Sequence, residues 1–203
     1  MRLLVATRNA DKLREIQEKF TGVPVKLLSL AEFSSLPETV EDQPDLIGNA
    51  IKKATEAARG TGLWAMADDT GLEVDALDGA PGVYSARYSG PGATYASNCE
   101  KLLRDLSEVP RDKRTAHFKC VIALKTDDGL YCVEGILLGR IAETGRGNKG
   151  FGYDPIFELE DGRMLAELEM AEKNRLSHRG QAVDKMKRLL EFLLLTDSGG
   201  EPR

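Results

Sequence analysis

The sequence is poor in the residues that build disulfide frameworks and metal clusters. It has 3 cysteines, none in C-x-x-C spacing, and only 2 histidines among 203 residues. An odd number of scattered cysteines without a secretory signal indicates reduced thiols and a cytoplasmic location. Two histidines are too few to predict a histidine-based zinc site. His117 lies on the polar face of a predicted strand, where we expect a structural or exposed side chain.

Long apolar runs and an excess of positive charge are also missing. No run is long enough to cross a bilayer, and the segment of residues 1–6 meets Asn9 and Asp11 too soon to be a signal peptide. The net charge of −5 argues against general binding to nucleic acid, which requires a basic surface. We therefore expect neither a membrane nor a nucleic acid as a partner. A small anionic ligand is compatible with this charge, because a few local Lys and Arg side chains suffice to bind it.

The residues that are present predict a globular α/β protein. Hydrophobic residues make up 41% and charged residues 30%, a balance that allows a buried core. The patterns predict strands at residues 3–6, 25–30 and 64–67, with a possible continuation at 72–77, and helices at 11–20, about 44–60, 93–106 and 180–195. Residues 116–124 and 130–141 alternate around an Asp-Asp-Gly turn and predict a hairpin. This order indicates a mixed sheet, in which ligands tend to bind at the carboxyl ends of strands.

A polar segment joins the first predicted strand to the first predicted helix. It consists of Thr7, Arg8, Asn9, Ala10, Asp11 and Lys12. Helix starts attract phosphate through free N–H groups and the helix dipole. A simple helix cap by Asn9 or Asp11, with Lys12 in solvent, explains the same residues, and this segment alone slightly favours the cap.

Two adjacent carboxylates, Asp68 and Asp69, follow the apolar strand at residues 64–67. Neighbouring side chains on a strand point in different directions, so at most one of the two faces a cleft. A carboxylate there would suit Mg²⁺, which prefers oxygen ligands and commonly bridges phosphates. A turn capped by Asp is an equally good interpretation.

Acidic residues also precede the second predicted helix. Ordinary electrostatics at a helix start explains this cluster by itself; it contains Glu38, Glu41, Asp42 and Asp45. Lys52 and Lys53 follow on the helix, where adjacent positions diverge, so only one of them can face a site. Lys53 lies beside the apolar stripe and is the better candidate.

A glycine-rich loop at residues 147–155 carries two aromatic residues around Gly152. Phe151 or Tyr153 could stack on a base, and Asp154 could accept hydrogen bonds from a base edge. One aromatic side chain packed into the core is the alternative, and we favour the functional interpretation.

Lys173, His178 and Arg179 lie around the start of the last predicted helix. This is a second helix start suited to an anion. A solvated polar loop capped by Ser177 is the alternative. Together, the carboxylates, lysines and aromatic loop predict a nucleotide phosphohydrolase that uses Mg²⁺.

At this level of detail the chain resembles the inosine-triphosphate pyrophosphatase family, also called XTP/dITP diphosphohydrolases. The matching segments follow the family's order over nearly the whole chain. They are residues 7–12, 49–54, 67–77, 79–88, 150–157 and 177–180.

The resemblance implies a fold and an activity. The fold is an α/β structure with a long twisted mixed sheet, flanking helices and two lobes around a central cleft. Residues 1–196 would form this two-lobed domain, residues 197–203 a loose tail, and two copies a homodimer. The implied reaction converts ITP, dITP and XTP into the nucleoside monophosphate and pyrophosphate.

The resemblance also implies a role for each matching residue. Asp69 would bind Mg²⁺ and accept a proton from the attacking water, with Glu41 as the second metal carboxylate. Residues 7–12 and Lys53 would hold the phosphates, and Thr70 keeps the hydroxyl of the family's usual Ser. The base and its surroundings would be held by Phe151, Gly152, Tyr153, Asp154, Lys173, His178 and Arg179.

Three departures from the family pattern leave alternatives open. Gln43 and Leu46 stand where Gly and Phe are usual, which makes Glu38 a rival of Glu41. Arg8 is larger than the usual small residue beside the phosphates.

Two rival functions remain open. One is a pyrophosphatase of pyrimidine nucleotides, and the other is a nucleotide-sensing or RNA-binding module. The sequence also does not rank ITP against XTP.

Overall fold

The computed structural model of the chain describes residues 1–197 and confirms the α/β class with a mixed sheet. All but the first residue of the predicted tail, residues 197–203, lie outside the described residues. The sheet has seven strands in the order β2-β1-β3-β5-β6-β7, with the short β4 paired to β3. The strands are β1 Arg2–Val5, β2 Lys26–Ser29, β3 Ala65–Val74, β4 Pro81–Gly82, β5 Thr115–Lys125, β6 Leu130–Ile141 and β7 Phe157–Glu158. β1 runs parallel to β2 and β3, and the other pairs are antiparallel.

Five α-helices flank this sheet within residues 1–197. They are α1 Ala10–Lys19, α2 Leu46–Thr61, α3 Tyr95–Asp105, α4 Met170–Leu176 and α5 His178–Asp197. Among the described residues, no helix is both long enough and apolar enough to cross a membrane. The second predicted helix starts at Leu46, two residues later than expected. Asp45 is its N-cap and accepts a hydrogen bond from the Gly48 amide at 2.7 Å.

Strand alternation divides the central sheet into two buried faces. Leu3, Val5 and Met66 pack with α1 and α5 in one cluster. Leu4 and Ala67 point the other way and pack under α2. Helices therefore cover both faces, as expected for apolar strands without polar alternation.

The long strands β3, β5 and β6 carry the chain from this first lobe into a second one. A separate core forms around their far ends, where Leu72 and Phe118 pack with Leu102 of α3 and with Ile156 and Phe157. The predicted hairpin of β5 and β6 is confirmed over eleven residue pairs. The two lobes share continuous strands, so the cleft between them has a rigid floor.

The predicted break at Asp68 is wrong. β3 runs without interruption through both aspartates and pairs with β5 from Ala65↔Lys125 to Val74↔Ala116, and a turn capped by Asp is therefore excluded. Beyond Val74 the expected strand gives way to a 3-10 turn over Asp75–Leu77. The pattern misled because both carboxylates obtain cationic partners from other elements, which allows polar residues inside a buried strand.

The last predicted helix is present, and a short additional helix precedes it. α4 was not predicted, and α5 begins at His178, two residues before the expected start. Ser177 separates them and caps α5 as anticipated, accepting a hydrogen bond from the Gly180 amide at 3.0 Å. The buried face of α5 contributes Ala182, Val183, Met186 and Leu190 to the core.

The close contact of β6 with the start of α5 yields a prediction. A Cβ atom at Gly135 would lie 2.0 Å from the His178 carbonyl oxygen and 2.8 Å from the Ala182 amide nitrogen. Gly135→Ala must therefore push α5 away from the sheet, and we expect a loss of about 1–3 kcal/mol in unfolding free energy. Urea unfolding measures this loss.

Gly145→Ala is the matched control, because a Cβ there would meet its nearest atom at an ordinary 3.4 Å. Equal stability of the two variants would contradict the packing described for β6 and α5.

Candidate active site

A cleft of about 300 Å³ lies between the two lobes. It brings together the predicted site residues from five separate parts of the chain. Of those residues, Ala10 and Asp11 alone do not line it. The lining includes Thr7, Arg8, Asn9, Lys12, Glu41, Lys53, Asp69, Thr70, Phe151, Gly152, Tyr153, Asp154, Lys173, His178 and Arg179.

The two adjacent aspartates of β3 leave the strand on opposite faces, as predicted. Asp68 points toward α1 and α5, where its Oδ2 lies 2.9 Å from Lys12 Nζ and 3.4 Å from Arg179 Nε. Asp69 points toward α2, where its Oδ1 lies 2.8 Å from Lys53 Nζ. Each carboxylate thus has its own set of cations.

The pKa values of the two aspartates are shifted in opposite directions. Burial would raise the pKa of Asp68, but Lys12 and Arg179 outweigh it and hold that pKa well below its usual value. Burial raises the pKa of Asp69 above its usual value, with Lys53 opposing the rise. Asp68 is therefore a permanent charge, whereas Asp69 has the more basic carboxylate.

The start of α1 combines both interpretations of its sequence. Asn9 caps the helix, accepting hydrogen bonds from the Asp11 and Lys12 amides at 2.9 and 3.0 Å. Lys12 is not in solvent, because it turns inward to Asp68. Arg8 is exposed and donates a hydrogen bond to the Leu36 carbonyl at 2.9 Å. The start of α1 is therefore both a capped helix end, through Asn9, and a positively charged wall of the cleft, through Lys12.

Lys53 joins the two carboxylates considered as metal ligands. Its Nζ lies 2.7 Å from Glu41 Oε1 and 2.8 Å from Asp69 Oδ1. Lys52 pairs with Asp42 at the surface, so one lysine of the pair faces the cleft, as predicted. Glu38 is exposed at the cleft mouth and does not share this contact.

This oxygen donor set is compatible with Mg²⁺. Glu41 and Asp69 are hard oxygen donors that both contact the Lys53 ammonium group. The pKa of Glu41 is lowered because Lys53, followed by Lys12 and Arg87, outweighs the effect of burial. Within residues 1–197, no group of three or more His, Cys, Asp and Glu side chains could hold a metal. Two carboxylates without further protein ligands are what Mg²⁺ uses when phosphate oxygens and waters complete its shell.

The aromatic loop places one ring in the cleft and one in the core. Phe151 is half-buried, with Lys173 Nζ 4.7 Å and Arg179 Cζ 5.4 Å from its ring centre. Tyr153 is buried and donates its hydroxyl to the Ser85 carbonyl at 2.9 Å. Phe151 is therefore the ring available for stacking on a base.

Behind Phe151 lies a buried network of charges that the sequence did not reveal. Glu15 of α1 is 1% exposed and binds both Lys173 and Arg179. Lys173 also binds Asp154, which in turn accepts a hydrogen bond from the Phe151 amide at 2.8 Å. Asp154, which we expected to meet a base edge, thus uses its Oδ2 to hold the loop and Lys173. The faint signal for Glu15 was its position one turn after Lys12, beside the core residue Ile16.

His178 is not part of a solvated loop. It is 3% exposed and stacks on Phe118, with ring centres 4.5 Å apart and planes 13° from parallel. Its Nδ1 is buried without a hydrogen-bond partner among the described residues. Burial, reinforced by Arg179 and Lys173, lowers the pKa of His178 well below its usual value, so the ring is neutral.

The comparisons with known proteins agree with this geometry. The model of the Ham1 family matches residues 3–189. The chain belongs to the Ham1 family. Its relatives include the dITP/XTP pyrophosphatase of Geobacter sulfurreducens, 53% identical over 92% of this chain and 94% of the relative. That of Desulfotalea psychrophila is 50% identical over 91% and 83%, respectively.

Solved Ham1 structures share the fold. A HAM1 protein from Coxiella burnetii superposes with a TM-score of 0.87 at 42% identity, covering 94% of this chain and 98% of its own. The Ham1 protein of Staphylococcus aureus has a TM-score of 0.85 at 34% identity, with the same coverage. The two-lobed mixed sheet is therefore the Ham1 fold.

The neutral, buried state of His178 predicts acid sensitivity. The folded protein resists protonation of this ring, but the unfolded chain protonates it below about pH 6.5. Stability from His178 is therefore present above that pH and is lost as the pH falls, with a slope of up to about 1.4 kcal/mol per pH unit. Urea unfolding at pH 7.5, 6.5 and 5.5 should show a steeper loss in the wild type than in His178→Gln.

His117→Gln is the control, since His117 is the other histidine and is only half-buried, with its Nε2 3.2 Å from Glu73 Oε2. A slope unchanged by His178→Gln would mean that His178 is protonated in the folded protein.

Proposed function

We propose that this protein is a pyrophosphatase of deaminated purine nucleoside triphosphates, converting ITP, dITP and XTP into the monophosphate and pyrophosphate. The observation that carries the proposal is the pairing of Asp69 with Lys53 in a cleft that also holds Phe151 and its two cations. Membership of the Ham1 family and relatives named dITP/XTP pyrophosphatases support the same activity.

The phosphate end of the cleft provides a proton acceptor and positive charge. Hydrolysis at the α-phosphorus needs a base for the attacking water and cations for the negative charge on the leaving pyrophosphate. Asp69 is suited to be the base because burial raises its pKa. Lys53 and Lys12, with Arg8 at the mouth, supply the positive charge beside it.

Magnesium is the proposed cofactor, held by Asp69 and Glu41. When bound, Mg²⁺ would neutralise phosphate charge and position the reacting oxygens. Lys53 contacts both carboxylates in the protein alone, and therefore already keeps them together for a cation. Glu41 is preferred over Glu38 because of this shared contact.

The base end of the cleft favours a purine with an oxygen at position 6. Phe151 offers a face for stacking, and the cationic groups of Lys173 and Arg179 offer hydrogen-bond donors beside it. A 6-oxo group accepts such bonds, whereas the 6-amino group of ATP would place donor against donor and lose solvation without compensation.

We further propose that the protein acts in the cytoplasm as a homodimer. The three cysteines are unpaired, consistent with a reducing compartment. Ile136 and Leu138 of β6 are apolar yet 38% and 73% exposed, as expected of surface that a second copy would cover. Light scattering coupled to size-exclusion chromatography tests the dimer directly.

The first functional prediction concerns products and metal dependence. With ITP and Mg²⁺ we expect IMP and pyrophosphate, and loss of turnover on addition of a chelator with recovery on added Mg²⁺. Product chromatography and a pyrophosphate assay, run beside dTTP and ATP, check this. IDP with orthophosphate would refute the cleavage position, and preference for dTTP would favour a pyrimidine nucleotide enzyme.

The two aspartates give the second functional prediction. Asp69→Asn should lower kcat at least about 100-fold, because the amide cannot accept the proton. Asp68→Asn should act chiefly on folding, since it leaves Lys12 and Arg179 facing a neutral group, and we expect about 3 kcal/mol of lost stability. Urea unfolding and kcat, measured on both variants, separate the two effects.

The pKa directions explain the expected asymmetry. The fold favours the charged form of Asp68 and disfavours that of Asp69, so a neutral substitute costs more stability at residue 68. Near-normal kcat in Asp69→Asn would assign the proton acceptor elsewhere.

A further inference from the structure

One aromatic side chain joins the two ends of the cleft from outside the motifs discussed above. Tyr95 is the first residue of α3, lines the cleft and is 44% exposed. Its ring packs against Phe151, with centres 5.7 Å apart and planes tilted by 39°. Tyr95 therefore touches the ring at the base end of the site.

The hydroxyl of the same side chain reaches the phosphate end. It accepts a hydrogen bond from Asn9 Nδ2 at 3.0 Å and donates one to Asp11 Oδ2 at 3.3 Å. Asn9 is the residue whose Oδ1 caps α1. Tyr95 thus fixes the orientation of the capping amide as well as the Phe151 ring.

The backbone that carries Tyr95 is firmly held in the second lobe. Thr94 caps α3, accepting a hydrogen bond from the Ser97 amide at 3.1 Å. Asn98, 3% exposed, accepts from the Ser89 amide at 2.8 Å and donates to the Ser85 carbonyl at 3.3 Å. Tyr95 therefore crosses the cleft from a rigid base rather than from a loose loop.

We propose that Tyr95 is a positioning residue that couples the phosphate-binding and base-binding halves of the site. This inference rests on the proposed nucleotide function for its ligand, and on the contacts of Tyr95 for its mechanism. By holding Asn9 and Phe151 in one arrangement before substrate arrives, Tyr95 removes part of the ordering cost of binding a ligand that spans both halves. A ligand that occupies one half gains nothing from this coupling.

Two probes distinguish the halves. α,β-Methylene inosine triphosphate has a base and three phosphates but cannot be cleaved at the α–β position, whereas inorganic tripolyphosphate has the phosphates alone. Isothermal titration calorimetry gives the dissociation constant of each for the wild type, Tyr95→Phe and Tyr95→Ala. Tyr95→Phe removes the two hydrogen bonds and keeps the ring, and Tyr95→Ala removes both contacts.

We expect Tyr95→Phe to weaken binding of the nucleotide analogue about three- to tenfold, the range for losing one or two net hydrogen bonds. Tyr95→Ala should weaken binding of the analogue further. The dissociation constant of tripolyphosphate should change less than about twofold in either variant. In turnover of ITP, KM should rise with kcat nearly unchanged. Equal losses for both probes, or no loss for either, would overturn the coupling role.

Tyr88→Phe is the matched control. The Tyr88 hydroxyl donates to Asp105 at the end of α3, so this variant removes a tyrosine hydroxyl bond from the same helix away from the cleft. It should bind both probes as the wild type does. A loss equal to that of Tyr95→Phe would show that α3 stability, not the contact across the cleft, is responsible.

Hydrogen exchange separates failure of this inference from failure of the proposed function. In the ligand-free protein, Tyr95→Ala should increase amide exchange both at residues 11–13 and at residues 150–154, while Tyr88→Phe should not. This result needs no substrate. Unchanged exchange at both segments would refute the contact even if ITP is hydrolysed, and wild-type protein that neither binds nor cleaves ITP would refute the function alone.

Discussion

In an extended strand, successive side chains leave on opposite faces, and the site depends on this geometry at residues 68 and 69. Asp68 enters the space between the sheet and α1 and α5, where Lys12 and Arg179 hold it charged. Asp69 enters the cleft under α2, where Lys53 and Glu41 are its neighbours. A shift of one residue in the pairing of β3 with β5 would exchange these environments. The ten paired residues of β3, which extend into both lobes, make such a shift costly.

The permanent charge of Asp68 is the first member of a buried network that continues to the base end of the cleft. Three carboxylates, those of Glu15, Asp68 and Asp154, meet three cations, those of Lys12, Lys173 and Arg179. The numbers balance, so each charge in this network has a partner of opposite sign. Such networks add little stability compared with apolar packing. Their consequence here is orientation, because Glu15 and Asp68, which do not line the cleft, hold Lys173 and Arg179 from behind.

The sequence predicted which residues meet in the cleft better than it predicted the backbone that places them there. Motifs at Thr7–Lys12, Lys53, Asp69 and Phe151 are local, since each owes its character to neighbouring residues in the chain, and the structure brings them to one cleft. The continuity of β3, the separate α4 and the roles of Glu15 and Tyr95 depend on partners far away in the chain. The sequence pattern suggested a turn at Asp68 because its partner Arg179 lies 111 residues later in the chain. A local pattern does not show that contact. Tyr95 carries no motif, and only the approach of α3 to α1 reveals its contacts.

The remaining hydrogen-bonding capacity at the base end explains why one class of purine is preferred. Arg179 has five N–H donors, and its contacts with Asp68, Glu15 and Thr70 use three of them. Lys173 has three donors, two of which are directed to Glu15 and Asp154. Two N–H groups of Arg179 and one of Lys173 are therefore not used by these contacts, and both side chains line the cleft. Because the lowered pKa keeps His178 neutral, it adds no further positive charge and can present one donor and one acceptor. An excess of donors beside an aromatic ring selects a flat base with acceptor oxygens at its edge, and deamination of a purine replaces an amino donor by such an oxygen.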